Sequence, residues 1–185
     1  MPGINRALFE NRSLAKSRQL SETPCIFLSH ISVDKASAVA VGDYISRKGD
    51  IDIYLDINDP DLQNAVTSND PAGVTRFIEL GLSVATHIMC MVSEATVRSW
   101  WVPYELGFAK NAGKHLSTLK LKGTVDLPAY LAISEIIRGT ESLNRYLTQV
   151  RRRLAKGAAL ESLTETLIRH TASQHPLDPH LDWNA

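Results

Sequence analysis

From Pro24 onward the chain alternates short apolar runs with longer stretches whose apolar positions fall three and four apart. CIFLS (Cys25–Ser29) is a continuous apolar run ending in a small polar residue, the pattern of a strand covered on both faces. DKASAVAVGDYISRKG follows, with Ala38, Val41, Tyr44 and Ile45 on one face, Asp34 as a candidate N-cap and Gly49 as a stop, and predicts an amphipathic helix. IDIYLD (Ile51–Asp56), rich in β-branched and aromatic residues, predicts a second strand and completes a β-α-β unit with parallel pairing. From Ile57 to Pro71 the residues Asn58, Asp59, Pro60, Asp61, Asn69, Asp70 and Pro71 predict a long loop, which in compact α/β domains is usually functional.

Val74–Val84 has helical period, with Val74, Phe77, Ile78 and Leu82 together, and Thr86–Val92 predicts a third strand. The next helix is SEATVRSWWVPYELGFAKNAGK. Its expected inward stripe is Val97, Trp101, Tyr104, Phe108 and Ala112, with Ser99 near its cap and Gly113 ending it. Leu116–Leu121 predicts a fourth strand, and Val125–Ile133 is the place for a fifth despite Pro128. Beyond Arg138, Leu143, Leu147, Val150 and Leu154 form a helical stripe, and a second run covers Leu160–Ile168. The final TASQHPLDPHLDWNA has no sustained period and is expected to fray or dock on a partner. Strands alternating with helices give an α/β class with a parallel sheet, whose ligands bind beyond the carboxyl ends of the strands.

Composition narrows the function. With 20 Lys plus Arg against 20 Asp plus Glu, the net charge is zero, so no global field draws nucleic acid or an anionic membrane. Cys25 and Cys90 sit inside apolar runs, which excludes a disulfide scaffold. The charge-interrupted N-terminus does not read as a secretory signal, and no window approaches the roughly 20 apolar residues of a membrane span, so a cytoplasmic protein is expected. No G-x-G-x-x-G follows a strand, Gly113-Lys114-His115 lacks P-loop spacing, and there is no G-x-S-x-G elbow. His170, His175 and His180 recur at a spacing of five among prolines, which stacks no metal ligands on a helix face, and no metal site is expected. His87, His115, Glu79 and the Arg151–Arg153 run read as structural or surface residues.

Trp101 and Glu105 are four apart and stand one helical turn from each other. Alone, the pair reads as a core aromatic and a surface acid favoured by the helix dipole. It is not alone. CIFLSHISVDKA, IDIYLD and VATHIMCMVSEATVRSWWVPYELGFA, in that order, resemble the box elements of a TIR (Toll/interleukin-1 receptor) domain. The resemblance divides the chain into an N-terminal extension (1–23), a TIR domain (24–137), a C-terminal helical extension (138–172) and a tail (173–185). It implies a flavodoxin-like five-stranded parallel sheet and, as in many bacterial members, cleavage of NAD+ as a substrate, with no further cofactor. Residue by residue, it makes Glu105 the catalytic acid of the W-x-x-x-E segment and Trp101 part of the pocket wall. Ser29 and His30, at the end of the first strand, Asp56 and Asn58, opening the loop over the pocket, and Ser93, opening the helix segment, become substrate-binding residues.

The chemistry suits one carboxylate. Nicotinamide leaves a cationic ring as a neutral base and needs no proton, so the acid has only to orient ribose hydroxyls and stabilise an oxocarbenium-like transition state. Burial would raise its pKa and the helix N-terminus would lower it; sequence leaves that balance open. The loop after Asp56 is longer and more acidic than in receptor-type TIR domains. The basic residues common after the first strand are replaced by His30, Ile31 and Ser32, so phosphate contacts must come from elsewhere. A short stand-alone chain resembles the TIR subunit of the Thoeris antiphage system, which reaches a separate effector through an ADP-ribose-derived signal, and TIR self-assembly is expected. Two other readings stay open: a non-catalytic TIR interaction module, and a nucleoside deoxyribosyltransferase-like enzyme.

Overall fold

The computed structural model describes residues 2–20, 23–123, 126–152 and 175–183. Its frame is one sheet of five parallel strands, β1 (Cys25–Ser29), β2 (Asp52–Tyr54), β3 (His87–Val92), β4 (His115–Lys120) and β5 (Glu135–Ile137), in the order β2-β1-β3-β4-β5. That order is the flavodoxin-like one, and it reverses direction between β1 and β3. Among the described residues six helices flank the sheet: α1 (Arg12–Leu20), α2 (Lys35–Gly49), α3 (Pro60–Thr67), α4 (Pro71–Val84), α5 (Trp101–Asn111) and α6 (Thr140–Arg152). No helix among the described residues is long and apolar enough to cross a membrane.

The two-residue period of β1 sorts its side chains between two cores. Ile26 and Leu28 join Ile53, Met89, Met91 and Leu119 under α2 and α6, with Val41, Ile45, Leu143 and Leu147 above them. Cys25 and Phe27 face the other way, toward Ile78 and Leu82 of α4 and Ala109 of α5. Both faces are covered, so β1, β2 and β3 are buried along their whole length. Ser29 shares the odd-numbered face with Cys25 and Phe27. It ends the strand beneath α5.

The expected loop from Ile57 to Pro71 is instead mostly helix. Asp59 and Asp70 each occupy an N-cap and accept backbone N–H bonds, Asp59 from Asp61 and Leu62, Asp70 from Gly73, while Pro60 and Pro71 take the first helical position. Two Asp-Pro pairs that suggested turns are two helix starts. The fifth strand lies after Pro128, not across it: Ala129–Ile133 is a 3₁₀ turn and pairing resumes at Glu135. The second strand is also shorter than expected, because Asp56–Asn58 turns away as a 3₁₀ segment. Gly49 is the last residue of α2, as expected, and the left-handed residue that follows it is Asp50, at φ 49°.

Described residues toward both ends of the chain are tied to the fold. Asn5 bridges Ile53 in parallel, and Asp52, wholly buried, accepts from Arg6 Nε at 2.9 Å, from the Ile4 amide at 3.0 Å and from Arg18. The described part of the tail, residues 175–183, packs on the fold. Leu177 and Leu181 enter the α2–α6 core, His175 Nε2 lies 3.2 Å from the Tyr44 hydroxyl, and the Thr140 amide donates to the Asp182 carbonyl at 2.8 Å. His180 faces Ser37 Oγ at 3.0 Å. Leu154, the expected helix Leu160–Ile168 and His170 lie outside the described residues.

Candidate active site

Helix α5 decides the site. Its buried residues are Val102, Glu105, Leu106 and Ala109, at i, i+3, i+4 and i+7. The inward stripe is therefore rotated from the expected one: Trp101 and Tyr104 are 43% and 38% exposed, and their rings meet edge to face at 5.8 Å. The packing reason is that Val102, Leu106 and Ala109 fill the face against the sheet, leaving the aromatic rings to the rim. Glu105 is the one ionisable residue on that buried stripe, at 4% exposure. The Ser99 hydroxyl accepts the Val102 amide at 3.3 Å and helps start the helix, as the sequence suggested, and Gly113, at φ 67°, follows its end.

Ser29 and Glu105 meet because the end of β1 points under the first turn of α5: Ser29 Oγ donates to Glu105 Oε2. Cys90, paired with Ser29 in register, lies on the same side, and burial pushes its thiol up to about 12, with Glu105 adding to the rise. Burial also lifts Glu105 itself from 4.5 to about 8; the Ser29 hydrogen bond opposes this and the Asp56 charge adds to it. Desolvation by burial thus outweighs the Ser29 hydrogen bond in setting the direction of the shift.

Glu105 forms part of the wall of a cleft of about 380 Å³ that also includes His30, Lys35, Asp56, Gln63 and Trp101. The cleft opens beyond the carboxyl ends of β1 and β2, where the topology rule places ligands. His30 Nδ1 lies 3.1 Å from the Leu28 carbonyl, which can only accept, so this nitrogen carries the hydrogen. It also lies 3.5 Å from Asp56 Oδ1. Burial raises the Asp56 pKa, partly offset by the His30 charge.

Ser29, His30, Asp56, Trp101 and Glu105 are thus brought together. Asn58 and Ser93 are not at the cleft. Asn58 Oδ1 accepts from Asn5 at 3.0 Å, and Ser93 Oγ donates to Asp34 at 2.7 Å, so Asp34 keeps the expected N-cap position of α2 while its side chain holds the β3–α5 turn and makes no cap bond. Lys35 and Gln63 are cleft residues that sequence reasoning missed. The signal for Lys35 was available: it is the first cation after β1, at the start of the helix that follows.

The same region carries the likeness to known proteins. The family model described as "Thoeris protein ThsB, TIR-like domain" matches residues 27–126, more than half of the chain. A protein of Bacillus cereus (strain MSX-D12) named "Probable 3' cyclic ADP-D-ribose synthase ThsB'" is 26% identical over 151 residues, which span 80% of this chain and 69% of the relative.

Proposed function

This chain belongs to the Thoeris ThsB TIR-like domain family, and from that premise we propose that it cleaves NAD+ between nicotinamide and ribose and makes an ADP-ribose-derived signal. The signal reaches a separate effector in antiphage defence. The name of the Bacillus cereus relative supports a cyclic product. The observation that carries the reading is Glu105: a carboxyl buried in an apolar stripe, bonded by Ser29 and bordering a cleft beside Trp101. A pure docking module gains nothing from an acid held at such cost in desolvation.

The work of each residue follows from its place. Trp101 offers an aromatic face at the rim, suited to stacking on a flat cationic ring. That ring beside Glu105 favours the ionised carboxylate, so substrate binding releases the proton that burial retains in the free protein. As the C1–N bond breaks, the electron pair goes to the ring nitrogen and nicotinamide departs neutral. Positive charge moves onto the ribose, where a carboxylate in a poorly solvated cleft stabilises it most strongly. Ser29 is a positioning residue that fixes one oxygen of Glu105. Lys35 provides the cation opposite the substrate pyrophosphate, in a wall otherwise holding two acids.

The test is nicotinamide release from NAD+ by the purified protein, beside Glu105→Gln, with adenine-containing products resolved by mass. Release abolished in the variant supports the reading, and the product mass separates hydrolysis, cyclisation and conjugation. No release from the unaltered protein, including under conditions that promote assembly, would overturn it.

A further inference from the structure

β2 is an edge strand, and the N-terminal segment pairs with it: the Ile53 amide donates to the Ile4 carbonyl at 2.9 Å and the Arg6 amide to the Ile53 carbonyl at 2.8 Å. Asn5, between these two bonds, uses its side chain on the turn that follows the strand. Its Oδ1 accepts the Leu55 amide at 3.3 Å and the Ala7 amide at 3.1 Å, and its Nδ2 donates to Asn58 Oδ1 at 3.0 Å. Asn11 Nδ2 holds the Asn5 carbonyl from behind at 2.8 Å. Leu55 and Asn58 flank Asp56 and Ile57, the two residues through which this 3₁₀ turn enters the cleft wall. One amide, 50 and 53 positions away, thus fastens the turn on both sides of its cleft-facing pair.

The bonds inside the turn do a different job. The Asn58 amide donates to the Leu55 carbonyl and the Asp59 amide to the Asp56 carbonyl, which shapes the turn without setting its angle to the sheet. Tyr54 bonds Asp59 only beyond it, at the start of α3, and Gln63 Nε2 reaches the Asp56 carbonyl at no less than 3.4 Å. The Asn5 position calls for an amide, which accepts two backbone N–H groups at one end and donates at the other.

We propose that Asn5 is a positioning residue for substrate binding: through Leu55 and Asn58 it fixes the wall made by Asp56 and Ile57, and with it the width of the cleft that Trp101 and Glu105 share. The assignment rests on the NAD+ cleavage reading above and brings into the site a segment outside residues 27–126, the span of the family match. Glu105 and Ser29 belong to α5 and β1 and hold each other, so losing the Asn5 clamp weakens binding and spares the bond-breaking group.

The test is Asn5→Ala, which keeps the backbone pairing to Ile53 and the Arg6–Asp52 ion pair. Amide hydrogen exchange should quicken at residues 55–59 and stay unchanged in β2. KM for NAD+ should rise about five- to tenfold, the net worth of about one hydrogen bond, with kcat within about twofold of the unaltered protein. Asn58→Ala, at an exposed position, should raise KM in the same direction, and the double variant should be no worse than Asn5→Ala alone. If Asn5→Ala does not fold, Asn58→Ala carries the same prediction by itself. Unchanged exchange in the turn, unchanged KM, a loss that falls on kcat, or additive effects in the double variant overturns the assignment and leaves the cleavage reading standing. Unaltered protein that releases no nicotinamide removes the cleavage reading and this assignment with it.

Discussion

Replacing Glu105 with Gln should make the protein more stable at alkaline pH and no more stable in acid. Burial moves this carboxyl from 4.5 to about 8. At about 1.4 kcal/mol per pH unit, that range corresponds to about 5 kcal/mol. Between those two pH values the folded protein holds a proton that the unfolded chain has released, so stability falls as pH rises. The cost is absent below 4.5 and complete above about 8. Gln removes the charge and can still accept the Ser29 hydroxyl, but its amide hydrogens go short of acceptors, a loss of about 1–3 kcal/mol. The net expectation is a gain of about 3 kcal/mol near pH 8.5 and a loss of about 1 kcal/mol or more near pH 5. For a chain of this size the gain amounts to roughly 6–12 °C in melting temperature. Thermal melts of both proteins across this range provide the assay. A melting difference that does not change with pH, or a variant less stable at the alkaline end, would refute the argument that the site stores the cost of a buried acid.

Other expectations follow from the same geometry. If the ionised form of Glu105 is the active one, kcat/KM for NAD+ should rise with pH toward a plateau above about 8, and a flat profile between about pH 6 and 8 would count against it. Lys35→Gln should raise KM for NAD+ about tenfold at low salt, near 1.4 kcal/mol, and the gap should close as ionic strength increases; a salt-independent effect would remove the pyrophosphate role. Asp52→Ala leaves Arg6 and Arg18 beside an apolar strand without their carboxylate and should cost about 3–5 kcal/mol in urea unfolding, against under about 1 kcal/mol if the cluster were a surface pair. Gly81→Ala puts a Cβ 2.5 Å from the Tyr54 ring and 3.0 Å from Phe27, where the two rings stack at 5.6 Å, and should cost about 1–3 kcal/mol; an unchanged denaturation midpoint would show that the stack yields freely.

The strands were legible because both faces of the sheet are covered, so each strand reads as an unbroken apolar run: Cys25–Ser29 falls where expected, and His87–Val92 one residue inside its expected bounds. Helix α3, the start of α4 and helix α5 were harder for different reasons. Pro60 and Pro71 carry the same residue signal whether they turn a loop or open a helix, and only the aspartates that cap them decide. On α5 apolar residues occur on more than one face, so period alone could not choose between the Trp101–Tyr104 stripe and the Val102–Leu106 one.

The sequence by itself determined the α/β order, the parallel sheet and the placing of Trp101 beside Glu105, since these depend on local period and on residues four apart. Tertiary structure alone decided that Glu105 faces inward, that Ser29 bonds it from 76 positions away, that Asp56 and Lys35 share its cleft, and that Ser93 and Asn58 do not. The physical reason is that the pKa of a carboxyl, and hence its chemistry, depends on the solvent and partners around it, and these are supplied by segments that meet only when the sheet is assembled.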